Sequence, residues 1–411
     1  MSKFLILSIY FFIFGNWLLS FTSLDEGRNM TAVYNMLTTG DYISPVYNCQ
    51  PRFEKPPMLY WLIALSSSIF GLNEFSARLI SGIAAIGIAY VTYLIAKNFF
   101  SEETAKKSFL VFLTLPHLWI ESRAVVPEMI NTFFMILSFF LFLREKFILG
   151  WISLAFAFLS KGPVGVILVI GTYLIFKRDL KILNLKAIMI FLILGSSWYI
   201  LMIIQHGYDY FYRFFIYENV MRYTGHRLTH PAPIYYYLLL VIATTIFYIP
   251  IYPRLIKGFN KQWTNFLLWF ILVIVFFSLA KNKLHHYILF AYPPMAILLA
   301  NFASEKYLKY IVSICAILLF IFLAFVYIYE KERLIPKSYQ IVKEYKGKVS
   351  FYKAEDSAMV FYSRRCIEKI NNPDDAQGLI ITHEKYIKDL SCTQLLKGRE
   401  FDRIYYLVEC N

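Results

Sequence analysis

Long apolar runs separated by short polar stretches occupy most of the chain up to about residue 329. A helix that crosses a bilayer needs about 20 mostly apolar residues, and the pattern repeats often enough to predict a polytopic, mainly α-helical membrane bundle. The first run follows Lys3 and precedes no small-residue cleavage site, so we expect it to remain as a transmembrane helix. The pattern predicts about eleven spans, near residues 4–21, 75–96, 108–120, 128–143, 147–160, 163–176, 187–205, 235–252, 264–280, 284–301 and 308–329.

The first polar loop, residues 22–73, is too long for a simple connection, and we expect it to be functional. Its first part, Asp25 to Thr39, has helical periodicity and should end at Gly40. The apolar stretch from Pro57 to Phe70 is too short to span, and its length favours a helix that lies in the membrane interface.

The tail differs from the rest, and we place a domain boundary between residues 1–330 and 331–411. Short β-branched and aromatic runs predict strands, and helical stretches lie between them. We therefore expect a small α/β domain. The predicted strands begin at Lys348, Ala358, Gly378 and Arg403, and the predicted helices are Ser338 to Tyr345 and Glu384 to Leu390.

Composition supports a membrane protein, because 58% of the residues are hydrophobic and 17% are charged. The formal charge of +14 lies partly in loops that we assign to the cytoplasmic side, so it predicts topology rather than a nucleic-acid partner. The distribution of basic residues places the amino terminus in the cytoplasm. An odd number of spans then places the tail outside the plasma (inner) membrane. The five cysteines lack the spacing of zinc sites. An extracytoplasmic tail is compatible with a disulfide between Cys366 and Cys392, which the sequence alone does not establish.

Asp25-Glu26 and Glu54-Lys55 stand between apolar runs, and we interpret them as two halves of one site. Acidic residues are also favoured in the first turn of a helix. Position alone therefore favours neither a helix-start role nor a catalytic role for Asp25 and Glu26. Two prolines after Lys55 fix its direction, and an ammonium group suits a phosphate oxygen. Snorkelling of Lys55 to lipid head groups is the alternative.

Further candidates fall on the same predicted outer face. Glu128 follows Pro127 at the start of a predicted helix. An acidic residue there either interacts favourably with the helix dipole or has a catalytic role. Lys161 lies in a short hairpin between two apolar runs. A role in setting membrane topology and a role in phosphate binding account for it equally well. The loop histidines His226 and His230, with Glu54 as oxygen ligand, form a candidate site for a divalent metal ion; we predict no organic cofactor.

Several motifs in order resemble the polyprenyl-phosphate-sugar glycosyltransferases of the GT-C fold, close to the lipid A aminoarabinose transferases and more distantly the protein O-mannosyltransferases. The motifs are Leu24-Asp25-Glu26-Gly27-Arg28, Gly40-Asp41-Tyr42, Phe53-Glu54-Lys55-Pro56-Pro57, Glu74-Phe75-Ser76-Ala77-Arg78, Ser160-Lys161-Gly162-Pro163 and Lys283-Leu284-His285-His286-Tyr287. The resemblance implies that Asp25 is the acid nearest the sugar and that Lys55 contacts the carrier phosphate. It further implies that Tyr42, Tyr60 and Lys161 line the substrate cavity. From their charge and predicted position we add Glu26 and Glu128 as catalytic candidates, and Arg28, Arg222 and Lys283 as substrate-binding candidates.

The expected reaction is transfer of a sugar from a polyprenyl-phosphate carrier to a lipid A-type glycolipid or another envelope acceptor. Cations would stabilise the departing phosphate, and one acid would accept the acceptor's proton in a single inverting displacement. Three alternatives remain: a protein O-mannosyltransferase-like enzyme, a transporter or flippase of lipid-linked sugar, and a noncatalytic assembly component. Transport is disfavoured because the charges gather at one face rather than at the midplane, and no repeat is visible.

Overall fold

A computed structural model describes residues 2–225, 228–401 and 403–410, without the side chains of residues 2, 23, 24 and 222. The chain forms two compact units. The first comprises Met1–Phe14, Phe53–Leu59 and Arg78–Leu319, and the second comprises Gly15–Arg52, Tyr60–Ala77 and Phe320–Asn411. The tail therefore groups with most of the first loop, whereas the sequence predicted one boundary near residue 330.

Helices make up most of the described chain. In chain order they are α1 (Ser2–Phe12), α2 (Ser23–Thr39), α3 (Met58–Phe70), α4 (Glu74–Phe99), α5 (Glu102–Leu113), α6 (Pro116–Glu121), α7 (Glu128–Leu143), α8 (Phe147–Lys161), α9 (Val164–Lys177), α10 (Leu185–Phe211), α11 (Met221–Thr224), α12 (Tyr236–Thr244), α13 (Tyr252–Lys257), α14 (Thr264–Leu279), α15 (Tyr292–Phe302), α16 (Glu305–Glu330), α17 (Leu334–Glu344) and α18 (Ser357–Ser363). A π-helix, Tyr212–Val220, continues α10, and 3-10 helices cover Ile246–Ile251, Lys261–Trp263, His285–Ala291, Pro373–Asp375 and Glu384–Asp389.

Length and apolar composition identify four membrane-crossing helical segments in the described residues, and a fifth if one bent pair counts as a span. The four are Glu74–Phe99, Leu185–Val220, Lys261–Leu279 and Glu305–Glu344, and the bent pair is Tyr236–Thr244 with Ile246–Lys257. These helices confirm a mainly helical membrane protein but not eleven spans.

Shortness accounts for the difference. Helices α7, α8 and α9 have 16, 15 and 14 residues, and at 1.5 Å per residue each is shorter than the roughly 30 Å apolar layer. Pro116 divides another predicted span into α5 and α6, and α1 ends at Phe12 rather than at Phe21. Helix α3 has 13 residues and falls among the shorter apolar helices, in agreement with the non-spanning prediction.

The first unit is held together by helix packing that is dense in aromatic residues. Helix α7 packs on α8 and α9, α8 packs on α10, and α14 packs on α9 and α15. The ring of Trp269 on α14 meets Phe139 of α7 at 4.9 Å and Phe290 at 5.0 Å between centroids. These contacts tie α14 to α7 and to the 3-10 helix His285–Ala291, two elements that carry candidate-site residues.

The second unit contains the predicted first-loop helix, α2, and it ends as expected. Gly40 adopts a left-handed conformation with φ 75°, and its N–H donates to the carbonyl of Met36. Helix α2 packs on α18 so closely at Gly27 that any Cβ there would overlap the backbone of Ser357 and Ala358. Glycine in the Asp-Glu-Gly-Arg motif is thus explained by packing.

A five-stranded sheet forms the core of the tail, in the order β4-β3-β5-β7-β6. Strand β3 is parallel to β4 and β5, whereas β7 is antiparallel to β5 and β6. Tyr352, Ile380 and Val408 form its buried face, against which the 3-10 helix Glu384–Asp389 packs. The strands are β3 (Val349–Tyr352), β4 (Glu368–Ile370), β5 (Gly378–His383), β6 (Thr393–Glu400) and β7 (Arg403–Cys410), and a hairpin of β1 (Val46–Tyr47) and β2 (Gln50–Pro51) lies in the first loop.

Three of the four predicted tail strands are present, and the one at Ala358 is wrong. That segment is helix α18, because the Asp356 carboxylate caps it by accepting the N–H groups of Ala358 and Met359. Arg364 then ends it in a left-handed conformation. Strong local capping outweighs the β-propensity of the Val-Phe-Tyr run.

Two disulfides stabilise the second unit, and neither is the Cys366–Cys392 pair considered from the sequence. Cys49 of the β1–β2 hairpin pairs with Cys366, and Cys392 pairs with Cys410 across the β6–β7 edge. Cys315 is free and buried. Cys366 and Cys392 therefore have different partners.

Candidate functional site

A cavity of about 460 Å³ lies within the first unit. One part of its lining is polar, with lysine, glutamate, histidine and asparagine side chains, and the other part is aliphatic and aromatic. Such a cavity suits an amphiphilic ligand with an anionic group and an apolar chain. Its polar lining includes Glu54, Lys55, Glu128, Asn131, Lys161, Glu218, Asn219, Asn282 and His286, and its apolar lining includes Met135, Ile167, Leu168, Phe276, Phe277 and Phe290.

Glu128 is the buried acid of this cavity, and it begins α7 directly after Pro127. Its Oε1 lies 3.0 Å from the Nζ of Lys161 and 3.1 Å from the Nε2 of His286. Its Oε2 has no hydrogen-bond partner in the described part of the chain. A buried carboxylate with one unsatisfied oxygen has the capacity to accept a proton or a hydroxyl hydrogen bond from a ligand.

Lys161 ends α8 and lines the cavity. Its ammonium lies 4.1 Å from the centre of the Tyr287 ring as well as beside Glu128. Gly162 follows with φ 88°, a conformation that glycine adopts without strain, and Pro163 precedes α9. The Ser-Lys-Gly-Pro motif therefore forms the tight turn that holds Lys161 at the cavity.

Lys55 lines the same cavity, but it differs from Lys161 in its partners. Within residues 2–225, 228–401 and 403–410, no carboxylate lies within ion-pair distance of its ammonium group. The adjacent Glu54 lies 3.7 Å from the guanidinium of Arg213 on the π-helix. An unneutralised cation in a partly apolar cavity favours an anionic ligand.

The loop histidines are only partly described. His226 lies outside the described residues, as does the side chain of Arg222, so the structure leaves the predicted roles of both open. The backbone N–H of His230 donates to the buried Oδ1 of Asn282, a cavity residue, and so fixes this part of the loop. A metal ion held by Glu54, His226 and His230 stays a prediction.

Lys283 is buried, and its ammonium donates to the backbone carbonyls of Ala280 and Ala232. It is absent from the described lining of the cavity. These bonds hold the chain turn before the 3-10 helix that carries His286. The structure thus gives Lys283 a supporting position, and direct substrate contact stays a prediction.

The Leu-Asp-Glu-Gly-Arg motif belongs to the second unit. Glu26 is buried and accepts the backbone N–H and the hydroxyl of Thr22 at the start of α2, which is the helix-start role. Asp25 lies 4.0 Å from buried Arg52 and keeps a side chain that is 44% exposed. Of the two acids, Asp25 is therefore the more accessible one, and its role toward the sugar stays a prediction.

Arg28 pairs with Glu355 of the tail at 2.6 Å, and its guanidinium lies over the Tyr47 ring. Burial acts to lower the pKa of Arg28, but the hydrogen bond and charge of Glu355 outweigh it and raise that pKa. The same pairing, against burial, lowers the pKa of Glu355. This pairing gives Arg28 a structural role in the second unit. Substrate contact by Arg28 stays a prediction.

The two tyrosines predicted to line a cavity also lie in the second unit. The carbonyl of Tyr42 accepts the indole N–H of Trp61 at 2.8 Å, and its side chain is exposed. Tyr60 is fully buried. Neither contributes to the described cavity of the first unit.

Sequence reasoning missed a buried polar cluster beside the cavity. His117 and Glu121 of α6 meet His285, the residue before His286. His285 and His286 belong to the Lys283-Leu284-His285-His286-Tyr287 motif, but His117 falls within a predicted span. Spacing of four residues between His117 and Glu121 on one helix was the available signal.

The chain was compared with known proteins. A model of the dolichyl-phosphate-mannose-protein mannosyltransferase family matches residues 54–204. An uncharacterised protein of Aquifex aeolicus is 49% identical over 97% of this chain and 96% of its own length. An undecaprenyl phosphate-alpha-4-amino-4-deoxy-L-arabinose arabinosyl transferase of Shewanella sediminis is 30% identical over 68% of this chain, which spans 55% of that enzyme.

Structural comparison gives the same fold. The crystal structure of ArnT from Cupriavidus metallidurans bound to undecaprenyl phosphate has a TM-score of 0.80 and 18% identity, covering 99% of this chain and 97% of that one. Fold and sequence together define an integral membrane glycosyltransferase of the GT-C class. Within that class, its sequence is similar to the aminoarabinose transferases and, over residues 54–204, to the protein mannosyltransferase family model.

Proposed function

We propose that this glycosyltransferase moves a sugar from a polyprenyl-phosphate carrier to a lipid A-type glycolipid or another envelope acceptor. The observation that carries the proposal is the position of Lys55, a cation without an ion-pair partner among the described residues, at a cavity with an apolar wall. The wall suits the polyprenyl chain and Lys55 suits the phosphate. Undecaprenyl phosphate is the ligand of the Cupriavidus enzyme, which shares the fold.

The residues divide the chemistry between them. Lys55 and Lys161 stabilise the negative charge that develops on the departing phosphate. Asp25 accepts the proton of an attacking hydroxyl, and Glu128 orients the sugar or acceptor through its free oxygen. If the acceptor is itself a phosphate, no base is needed and Asp25 orients the sugar. A single displacement inverts the anomeric centre.

The proposed location is the inner membrane, with a cytoplasmic amino terminus and an extracytoplasmic tail. Two disulfides in the second unit support this side, because such bonds persist in oxidising compartments. A protein acceptor is the second candidate, since the matching family model describes protein mannosyltransferases.

Detergent-purified protein tests the proposal when it is given radiolabelled polyprenyl-phosphate sugars with glycolipid or peptide acceptors. Transfer of label to one acceptor class supports the enzyme and identifies that class. Movement of intact labelled lipid across reconstituted vesicles without any transfer to acceptor would instead indicate a flippase.

A further inference from the structure

A second group of polar side chains lies in the first unit, beside the cavity but outside its lining. It consists of His117 and Glu121 on α6 and of His285 on the 3-10 helix His285–Ala291. The Nε2 of His117 lies 3.1 Å from Oε1 of Glu121 and 3.0 Å from Nδ1 of His285, and this Nδ1 lies 2.7 Å from the same Oε1. Three potential ligand atoms therefore form a nearly equilateral triangle.

We propose that His117, Glu121 and His285 bind a divalent transition-metal ion, with Zn²⁺ as the best fit. Two imidazoles and one carboxylate form a ligand set that Zn²⁺ takes in three-ligand sites. With metal–ligand bonds of about 2.0–2.1 Å, tetrahedral ligand atoms lie about 3.4 Å apart. The three edges of the triangle need to widen by about 0.3–0.7 Å to reach this spacing.

An unsatisfied carboxylate oxygen of Glu121 supports a cation beside these three residues. Glu121 is 1% exposed, and its Oε2 has no hydrogen-bond partner among the described residues. A buried carboxylate oxygen without a donor costs free energy, which a bound cation offsets. Direct hydrogen bonding between the three groups satisfies Oε1 but leaves Oε2 unsatisfied.

A histidine that binds a metal through one ring nitrogen usually donates a hydrogen bond from the other nitrogen, and the surroundings of His117 offer an acceptor for it. The Nδ1 of His117 lies 2.5 Å from the hydroxyl of buried Tyr292, which in turn lies 3.4 Å from the hydroxyl of Thr244. With Nε2 on the metal, Nδ1–H donates to Tyr292, and this fixes the tautomer and the ring orientation. His285 has a side chain that is 47% exposed, so water has access to a fourth ligand position.

The ion would also hold the cavity wall in place. His285 directly precedes His286, whose Nε2 contacts Glu128. Binding at His285 therefore restrains the backbone that positions His286 against the buried acid. This is a positioning role, and the ion itself lies outside the cavity.

Metal content of the full chain in detergent, with any affinity tag removed, tests the proposal. Protein is stripped with a chelator, refilled with Zn²⁺ or Co²⁺, and measured by mass-spectrometric metal analysis and by the visible absorption of tetrahedral Co²⁺. Wild type should bind an ion that Glu121→Gln and His285→Gln lose. The matched controls His286→Gln and Glu54→Gln should keep it, and Glu54→Gln also separates this ion from one at the predicted loop site.

Tyr292→Phe gives an independent readout, because loss of the outer hydrogen bond should weaken the affinity about 10- to 100-fold without abolishing binding. If the variant of buried Glu121 fails to fold, the variant of half-exposed His285 decides the question. Wild-type metal content and Co²⁺ absorption in folded His285→Gln would overturn the proposal, as would the absence of any ion in refilled wild type.

Discussion

The ammonium of Lys161 lies 3.0 Å from the carboxylate of Glu128, at the wall of the cavity in the first unit. Glu128 is almost fully buried, whereas Lys161 is one quarter exposed. Removal of one partner from such a pair leaves the other as an uncompensated charge in an apolar environment.

We expect Lys161→Met to destabilise the first unit by about 3 kcal/mol, because among the described residues Glu128 then keeps only His286 within ion-pair distance. Glu128→Gln combined with Lys161→Met should recover part of this loss. Denaturant unfolding of the two single variants and the double variant forms the cycle that measures it. Additive losses in the double variant would show that the pair contributes no coupling.

Gly27→Ala should disrupt the packing of α2 on α18, because its Cβ would overlap the backbone of Ser357 and Ala358. Overpacking of this kind costs roughly 1–3 kcal/mol. Gly195→Ala is the matched control, since a Cβ there makes only ordinary contacts of 3.5 Å or more. Hydrogen exchange of α18 should rise in the first variant and stay unchanged in the control.

The tail should lose stability as the pH rises from about 4 to 7. Burial, helped by the charge of Glu400, raises the pKa of Asp356 to about 7, whereas an unfolded aspartate has a pKa of about 3.9. Between these values the folded tail binds the extra proton, so protonation stabilises it at low pH and this contribution is lost by pH 7. Exchange of the sheet amides between pH 5 and 8, corrected for intrinsic rates, measures the effect.

Asp356→Asn should flatten that dependence, because asparagine keeps the capping oxygen but does not titrate. An unchanged pH slope in this variant would show that another group is responsible.

A non-reduced digest should yield two cross-linked peptide pairs, Cys49 with Cys366 and Cys392 with Cys410. Cys49→Ala/Cys366→Ala should lower stability by about 2–5 kcal/mol, because the bond closes a long loop in the unfolded chain. Thermal unfolding with and without reductant measures the loss. A Cys366–Cys392 peptide would contradict the structure.

Local signals predicted much of this fold. Helix α2 and its end at Gly40, three tail strands and the turn at Lys161 each follow from short motifs. The strand at Ala358 failed because Asp356, outside the run, caps a helix. The eleven predicted spans are not confirmed, because apolar composition does not reveal where a helix of 14 to 16 residues stops.

The site was predictable only where motif residues face the cavity. Lys55, Lys161 and Glu128 share it, as their types suggested. Arg28 instead meets Glu355, 327 residues away, and no local pattern contains that contact. The same holds for His117, which meets His285 from a helix 168 residues earlier.

The central claim is that Lys55 binds the phosphate of the sugar donor, and single-turnover sugar transfer tests it most directly. Lys55→Met should lower the rate about 100-fold or more, in line with loss of one preorganised charge, and Lys55→Arg should recover part of it. Lys257→Ala, which removes an exposed lysine on α13, should match wild type. Transfer by Lys55→Met at the wild-type rate would contradict the account.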